Sequence, residues 1–235
     1  PGVMLAASKR FVINIKGKQA HASTPWQSID PIVVGAQIIN GLQTIISRES
    51  ELTNEGAVIS VGSIHSGIRF NIIPENLEMI GTIRTLDRDM KELIRNRMQE
   101  MIPAIAAAYR AEATINIVDG ADITFNDEAL TRKMIPTLER VAGEDKVFEI
   151  NAITGAEDFS YFQNKVPGLF FFLGGTPLSM EERDAPSHHT PLFIVELLPM
   201  NTFLPILQLP FTIAPVEICV LFPIKQLCSI NALLF

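Results

Sequence analysis

Cysteine is scarce. Only Cys219 and Cys228 occur in 235 residues, both close to the last residue. Their spacing matches neither a zinc ribbon nor a redox dithiol, and two cysteines cannot form a stapled scaffold. Such usage fits a reducing compartment and a cytoplasmic protein. Basic runs are also missing. The net charge is −7, with both signs interspersed. No arginine-rich stripe is present to neutralise phosphates, so a nucleic-acid partner is not expected. No charged head followed by an apolar run opens the chain, so no signal peptide is visible after Pro1. Histidine is rare as well: His21, His65, His188 and His189 are the whole set. Any imidazole chemistry must use one of these four.

Against these absences stands a clear alternation of apolar periods. Lys9 to Lys16 has period two, the pattern of a half-buried strand. Ile32, Val33, Ala36, Ile39, Leu42, Ile45 and Ile46 recur at helical spacing. Asp30-Pro31 supplies the cap and first-turn proline, and the helix should end near Arg48-Glu49. Ala57 to Ile64 and Leu77 to Thr85 read as strands. Asp87 caps a second helix in which Pro103 predicts a kink or an early end. Ala113 to Val118 alternates again. The order strand, helix, strand, strand, helix, strand is the ferredoxin-like βαββαβ pattern. It builds one antiparallel four-stranded sheet with two helices on one face.

From Ala121 the pattern changes. Asn126-Asp127 caps a helix that stops at Gly143. Phe148-Glu149-Ile150 is a short strand candidate. Gly155-Ala156-Glu157-Asp158 is a loop entering a short helix. Leu169 to Leu173 reads as a fully buried strand. This is an α/β piece too small to close a core alone. After Val195 the chain becomes an atypical apolar tail, punctuated by Pro199, Pro205, Pro210, Pro215 and Pro223. Leu197 to Val216 carries no charge and approaches the ~20 residues of a membrane span. Its internal prolines, Asn201, Thr202 and Gln208 make it a poor spanning helix, so a membrane partner is not expected.

Several residues could carry chemistry. His21 lies between a strand and a helix, beside Ser23 and Thr24, with Gly17 and Pro25 constraining the backbone. Local sequence alone also fits a turn with an exposed histidine. His188 and His189 are adjacent, so at most one could ligate a metal while the other faces solvent. Glu157 and Asp158 could cap the following helix or orient a metal-bound imidazole. Arg84, with Asn71, could meet a substrate carboxylate through its fork, although an arginine on a strand is usually a residue of a solvated face. His65, beside Ser66-Gly67, reads as an exposed hairpin residue.

Taken in order, Gly17-Lys18-x-Ala20-His21-x-Ser23-x-Pro25 with Asp30-Pro31, Arg69-x-Asn71-x-Ile73-Pro74, Gly81-Thr82-x-Arg84, Gly155-Ala156-Glu157-Asp158-Phe159 and His189-Thr190-Pro191-x-Phe193 resemble the metal-dependent amidohydrolases of the aminoacylase and carboxypeptidase superfamily. The nearest branch holds hippurate hydrolase, N-acyl-amino-acid amidohydrolases and indole-acetyl-amino-acid hydrolases. The resemblance covers Pro1 to about Val195. It implies an α/β catalytic domain binding two divalent ions, zinc or manganese, and an inserted ferredoxin-like lid that can mediate homodimerisation. On it, residues 1–8 end the first half of the catalytic domain, 9–120 form the lid, 121–195 are an incomplete C-terminal piece of the catalytic domain, and 196–235 are the tail.

The same resemblance implies roles. His21 would stabilise the oxyanion, often in the partner subunit's site. Arg84 would hold the amino-acid carboxylate with Asn71 beside it. His189 would be the C-terminal metal ligand, with His188, Glu157 and Asp158 around it. The substrate would be an N-acyl amino acid or small peptide. The family's other ligands and its general-base glutamate have no counterpart in this sequence, so the chain is expected to be an inactive fragment of such an enzyme. The rival expectation is a non-catalytic ferredoxin-like dimerisation or small-ligand-binding module.

Overall fold

A computed structural model of the chain describes residues 1–53, 56–174 and 227–228. The strands are β1 Gly2–Leu5, β2 Ala7–Lys16, β3 Ala20–His21, β4 Ala57–Ser66, β5 Ile72–Ile73, β6 Asn76–Thr85, β7 Glu112–Asp119, β8 Thr124–Asn126, β9 Leu173–Gly174 and β10 Leu227–Cys228. The helices are α1 Pro31–Thr44, α2 Arg88–Ala108, α3 Glu128–Ala142 and α4 Phe159–Gln163. Two compact units result. One is Val3–Thr124 with Ala152–Tyr161; the other is Pro1–Gly2, Phe125–Asn151 and Phe162–Phe235.

The first unit is built on an antiparallel four-stranded sheet in the order β4-β6-β2-β7. Alternation in the sequence becomes sidedness in the sheet. Phe11, Ile13 and Ile15 of β2 are buried, while Arg10, Asn14 and Lys16 on the alternate positions are exposed and Val12 is half-buried. The buried set meets Val34, Ile38 and Leu42 of α1 and Ile94, Met98, Ile102 and Ala106 of α2 in one core. Each large side chain so buried is worth about 1.5–3 kcal/mol. Both helices therefore lie on one face, and the other face is left to the even-numbered residues of β2 and β6.

Asp30 caps α1, its Oδ1 accepting from the backbone N–H of Ile32 at 2.8 Å and of Val33 at 3.4 Å. The helix continues into a π-type turn over Ile45–Glu49 and so ends near Arg48-Glu49, where the sequence places its end. Asp87 caps α2 through Met90 N–H at 2.8 Å. Pro103 does not end α2, which runs on to Ala108. Pro103 is exposed, and Ile102 and Ala106 on either side of it are fully buried. Packing of that stripe outweighs one lost backbone hydrogen bond.

Close approach explains Gly81. A Cβ there would stand 2.2 Å from the Phe11 ring and 2.3 Å from the Ser60 carbonyl oxygen. A side chain of any size would drive β6 away from both neighbours.

In the second unit Asp127 caps α3 through Leu130 N–H at 2.8 Å. Two strand expectations fail here. Phe148–Ile150 is irregular, and Phe148 is exposed. The buried run from Leu169 to Phe172 is not a strand either; only Leu173–Gly174 pairs, with β10. The run is held by a side chain instead. The Asn126 amide donates to Phe170 O at 2.7 Å and accepts from Phe170 N–H at 2.6 Å. With that amide standing in for a neighbouring strand, burial needs no ladder. Phe170 and Phe172 then meet edge to face at 5.3 Å.

Candidate functional site

His21 is not in a free loop. It opposes Ile72 in a two-stranded ribbon of β3 and β5. Ala22 N–H extends the pairing to Asn71 O at 3.0 Å. The ribbon adjoins the Lys16 end of the large sheet, where Gly17 N–H donates to Glu75 O at 2.7 Å. His21 and Asn71, fifty residues apart in sequence, are thus neighbours.

The tautomer of His21 follows from its contacts. The Ser23 backbone N–H donates to Nδ1 at 3.1 Å, and Ser23 Oγ lies 2.7 Å from the same atom. A backbone N–H can only donate, so Nδ1 is the acceptor and a neutral ring carries its proton on Nε2. Thr24 holds the His21 carbonyl through its N–H at 2.9 Å and its hydroxyl at 3.1 Å. The imidazole stays exposed, presenting an N–H donor outward. Nearby, Trp26, Ile68 and Phe70 are exposed at 74%, 92% and 102%, an apolar set that nothing in the unit covers.

Arg84 sits at the opposite end of the sheet. It opposes Ser8 of β2 and Val58 of β4, on the face away from the helices. It lies eight residue steps along β6 from Asn76, at the His21 end. That is about 27 Å at ~3.4 Å per residue, farther than an arginine side chain reaches. Asn71 therefore accompanies His21 rather than Arg84. Arg10, two residues along β2 from Ser8, the residue opposite Arg84, lies on the same face and is an exposed cation that the sequence motifs did not single out. Its signal was available in the i, i+2 alternation of β2.

Glu157 and Asp158 fall at the Arg84 end. Their loop is docked on the chain before β2: Ala6 N–H donates to Gly155 O at 2.8 Å, and Leu5 bridges Ile153. Glu157 Oε1 accepts from Asp158 N–H at 3.1 Å, and Ser160 Oγ donates to Glu157 O at 3.1 Å. These contacts order the entry to α4. His188 and His189 lie outside the described residues. The described residues do not fit a metal centre, because they contain no group of three or more His, Cys, Asp or Glu side chains able to hold an ion. No described helix is long and apolar enough to cross a membrane.

Residues 4–110 match the family model of the peptidase dimerisation domain of the M20 type. Over 174 residues the chain is 36% identical to thermostable carboxypeptidase 2 of Saccharolobus solfataricus, covering 74% of this chain and 43% of that protein. It is likewise 36% identical to an N-acetylcysteine deacetylase of Bacillus subtilis, covering 74% of this chain and 45% of the relative. Among solved structures it is similar to the B. subtilis YXEP protein, described as a dinuclear metal-binding peptidase of the M20 family. There the identity is 30% and the TM-score 0.54, over 71% of this chain and 40% of the other. Residues 4–110 thus belong with the peptidase dimerisation domains, and the longer matches are to metallopeptidases and amidohydrolases of the M20 kind. The chain spans about half the length of the curated relatives it matches, among them proteins named carboxypeptidase, amidohydrolase and deacetylase.

Proposed function

We propose that this chain supplies the ferredoxin-like lid, residues 9–120, and a C-terminal part, residues 121–195, of a metal-dependent amidohydrolase acting on N-acyl amino acids or small peptides. The carrying observation is the hydrogen bond from Ser23 N–H to His21 Nδ1. It leaves Nε2–H free to donate to an amide carbonyl oxygen as negative charge develops there. Arg84 takes the substrate carboxylate through its fork, and Asn71 flanks His21. In the intact enzyme His189 would be this chain's ligand to one of two divalent ions, zinc or manganese, which would supply the hydrolytic chemistry.

The two poles of the lid demand a second copy. One lid cannot set His21 and Arg84 on a single small substrate across about 27 Å of strand. A homodimer, in which one subunit's His21 end meets the other's Arg84 end, can. The exposed Trp26, Ile68 and Phe70 beside His21 would be covered in that arrangement.

A chimera tests the reading. Residues 9–120 replace the matching segment of the S. solfataricus carboxypeptidase, and turnover of N-acyl amino acids is measured. His21→Asn is expected to lower kcat by about 10²–10³-fold with little change in KM, the cost of losing one oxyanion donor. An active chimera whose kcat is unaffected by His21→Asn would overturn the assignment.

A further inference from the structure

The open face of the large sheet holds a basin of about 440 Å³ at the end away from Arg84. Its lining comes only from β2, β4, β6 and β7 and from neither helix, so it lies on the uncovered face. Two rows of side chains form its floor. In one, His65, Glu78, Asn14 and Thr114 stand opposite one another across four strands. In the next, Asn76, Lys16 and Glu112 do the same across three.

A bulge completes the first row. The register of β4 shifts between Val61 and Ser63. Without that extra residue the alternation would turn His65 to the helix side; with it His65 opposes Glu78 on the open face. Ser63 Oγ then lies 2.7 Å from His65 Nε2 and orients the ring.

The charges of the basin are not spent on one another. Lys16 directly opposes Glu112, yet neither forms an ion pair with a described residue, and Glu78 forms none either. Compare Lys9 at the far end of the same strand, which takes Asp119 at 2.5 Å. The basin thus offers one ammonium, two carboxylates, the His65 imidazole and three neutral hydrogen-bonding groups, Asn14, Asn76 and Thr114, within a few strand spacings.

We propose that this basin binds a small zwitterion, an α-amino acid with free ammonium and carboxylate groups. Lys16 takes the carboxylate, and Glu78 and Glu112 flank the ammonium. A lone anion would meet two carboxylates, and a lone cation would leave Lys16 unmatched and repelling it. A divalent ion lacks a ligand set, since no metal-holding group of side chains occurs among the described residues. The site stands apart from the hydrolase reading, though the amino acid which that chemistry releases is a ligand of this class.

The test titrates the ¹⁵N-labelled 235-residue chain with glycine, acetate and methylammonium, following backbone amide shifts. Glycine is expected to produce saturable shifts at Asn14, Lys16, Glu78, Glu112 and Thr114. Each single-charge probe should bind about tenfold more weakly, as should glycine to Lys16→Met and to the double variant Glu78→Gln, Glu112→Gln, the loss of one charge-assisted contact. These side chains are on the open face, and the same spectra report whether each variant is folded. Absence of saturable shifts at these amides overturns the proposal, as does methylammonium or acetate binding as tightly as glycine. The wild-type probe series decides the matter even if a variant fails to fold.

Discussion

At the scale of single residues, small contacts decide what a side chain can do. His21 would be an ordinary exposed imidazole without Ser23. The Ser23 N–H and hydroxyl both reach Nδ1, at 3.1 and 2.7 Å, and leave the proton on the outward nitrogen. Ser23→Ala removes the hydroxyl and keeps the backbone donor. In the chimera it is therefore expected to lower kcat by only about threefold to tenfold, well short of His21→Asn. A loss as large as that of His21→Asn would show that the hydroxyl, and not the backbone, sets the tautomer. Gly81 is decided by two ångströms of space. Gly81→Ala collides with the Phe11 ring and the Ser60 carbonyl. It is expected to destabilise the chain by about 1–3 kcal/mol, as overpacking does, read as a lower denaturant midpoint at unchanged slope.

At the scale of elements, helix caps and strand alternation were legible because they are local. Asp30, Asp87 and Asp127 cap the helices they precede, and Phe11, Ile13 and Ile15 face the core they are spaced for. Where an outcome depended on a distant partner, local reading failed. Pro103 is carried through α2 by its buried neighbours, and Leu169–Phe172 is tied by Asn126 rather than by a strand. The Lys9–Asp119 pair joins β2 to β7 and is also non-local. Lys9 is 3% exposed, while Asp119, at 62%, additionally binds Arg95 at 2.7 Å. Hydrogen bonds from Lys9 and then Arg95 hold the Asp119 carboxyl down at about 2. A depressed carboxylate contributes stability that is complete above its unfolded value near 3.8 and is lost as pH falls through about 2. Asp119→Asn strands the buried ammonium. It should cost about 1–3 kcal/mol at neutral pH, below the 3–5 of a fully buried pair because Asp119 faces water. Thermal melts of wild type and Asp119→Asn from pH 7 to 2 should differ most at neutral pH and converge below pH 4. A gap that persists at pH 2 would sink this account.

At the scale of the whole molecule, the chain carries a peptidase dimerisation domain over residues 4–110, yet its described residues gather no metal-holding cluster. The purified chain, supplied with zinc or manganese, is expected to turn over no N-acetyl amino acid. Sustained release of free amino acid, followed by amine detection, would contradict this. Sedimentation should give twice the chain mass if the lid pairs as proposed. The two poles matter at this scale: His21 and Asn71 at one end, Arg84 and the Glu157-Asp158 loop at the other.

The sequence by itself determined the four long strands and the helices α1, α2 and α3, their caps, the core stripe and the motifs that mark the family, because each is written within a few residues. It placed His21, Asn71 and Arg84 on the same module but not relative to one another. Only the tertiary structure decided that Asn71 stands by His21 and not by Arg84, since β3 pairs with β5 and Arg84 lies eight residues along β6 from Asn76. Only it decided that His65 shares a face with Glu78, since one bulge inverts every side chain beyond it. Distances between residues far apart in sequence are set by which strands pair and in what register, and a period read along one strand does not carry that information.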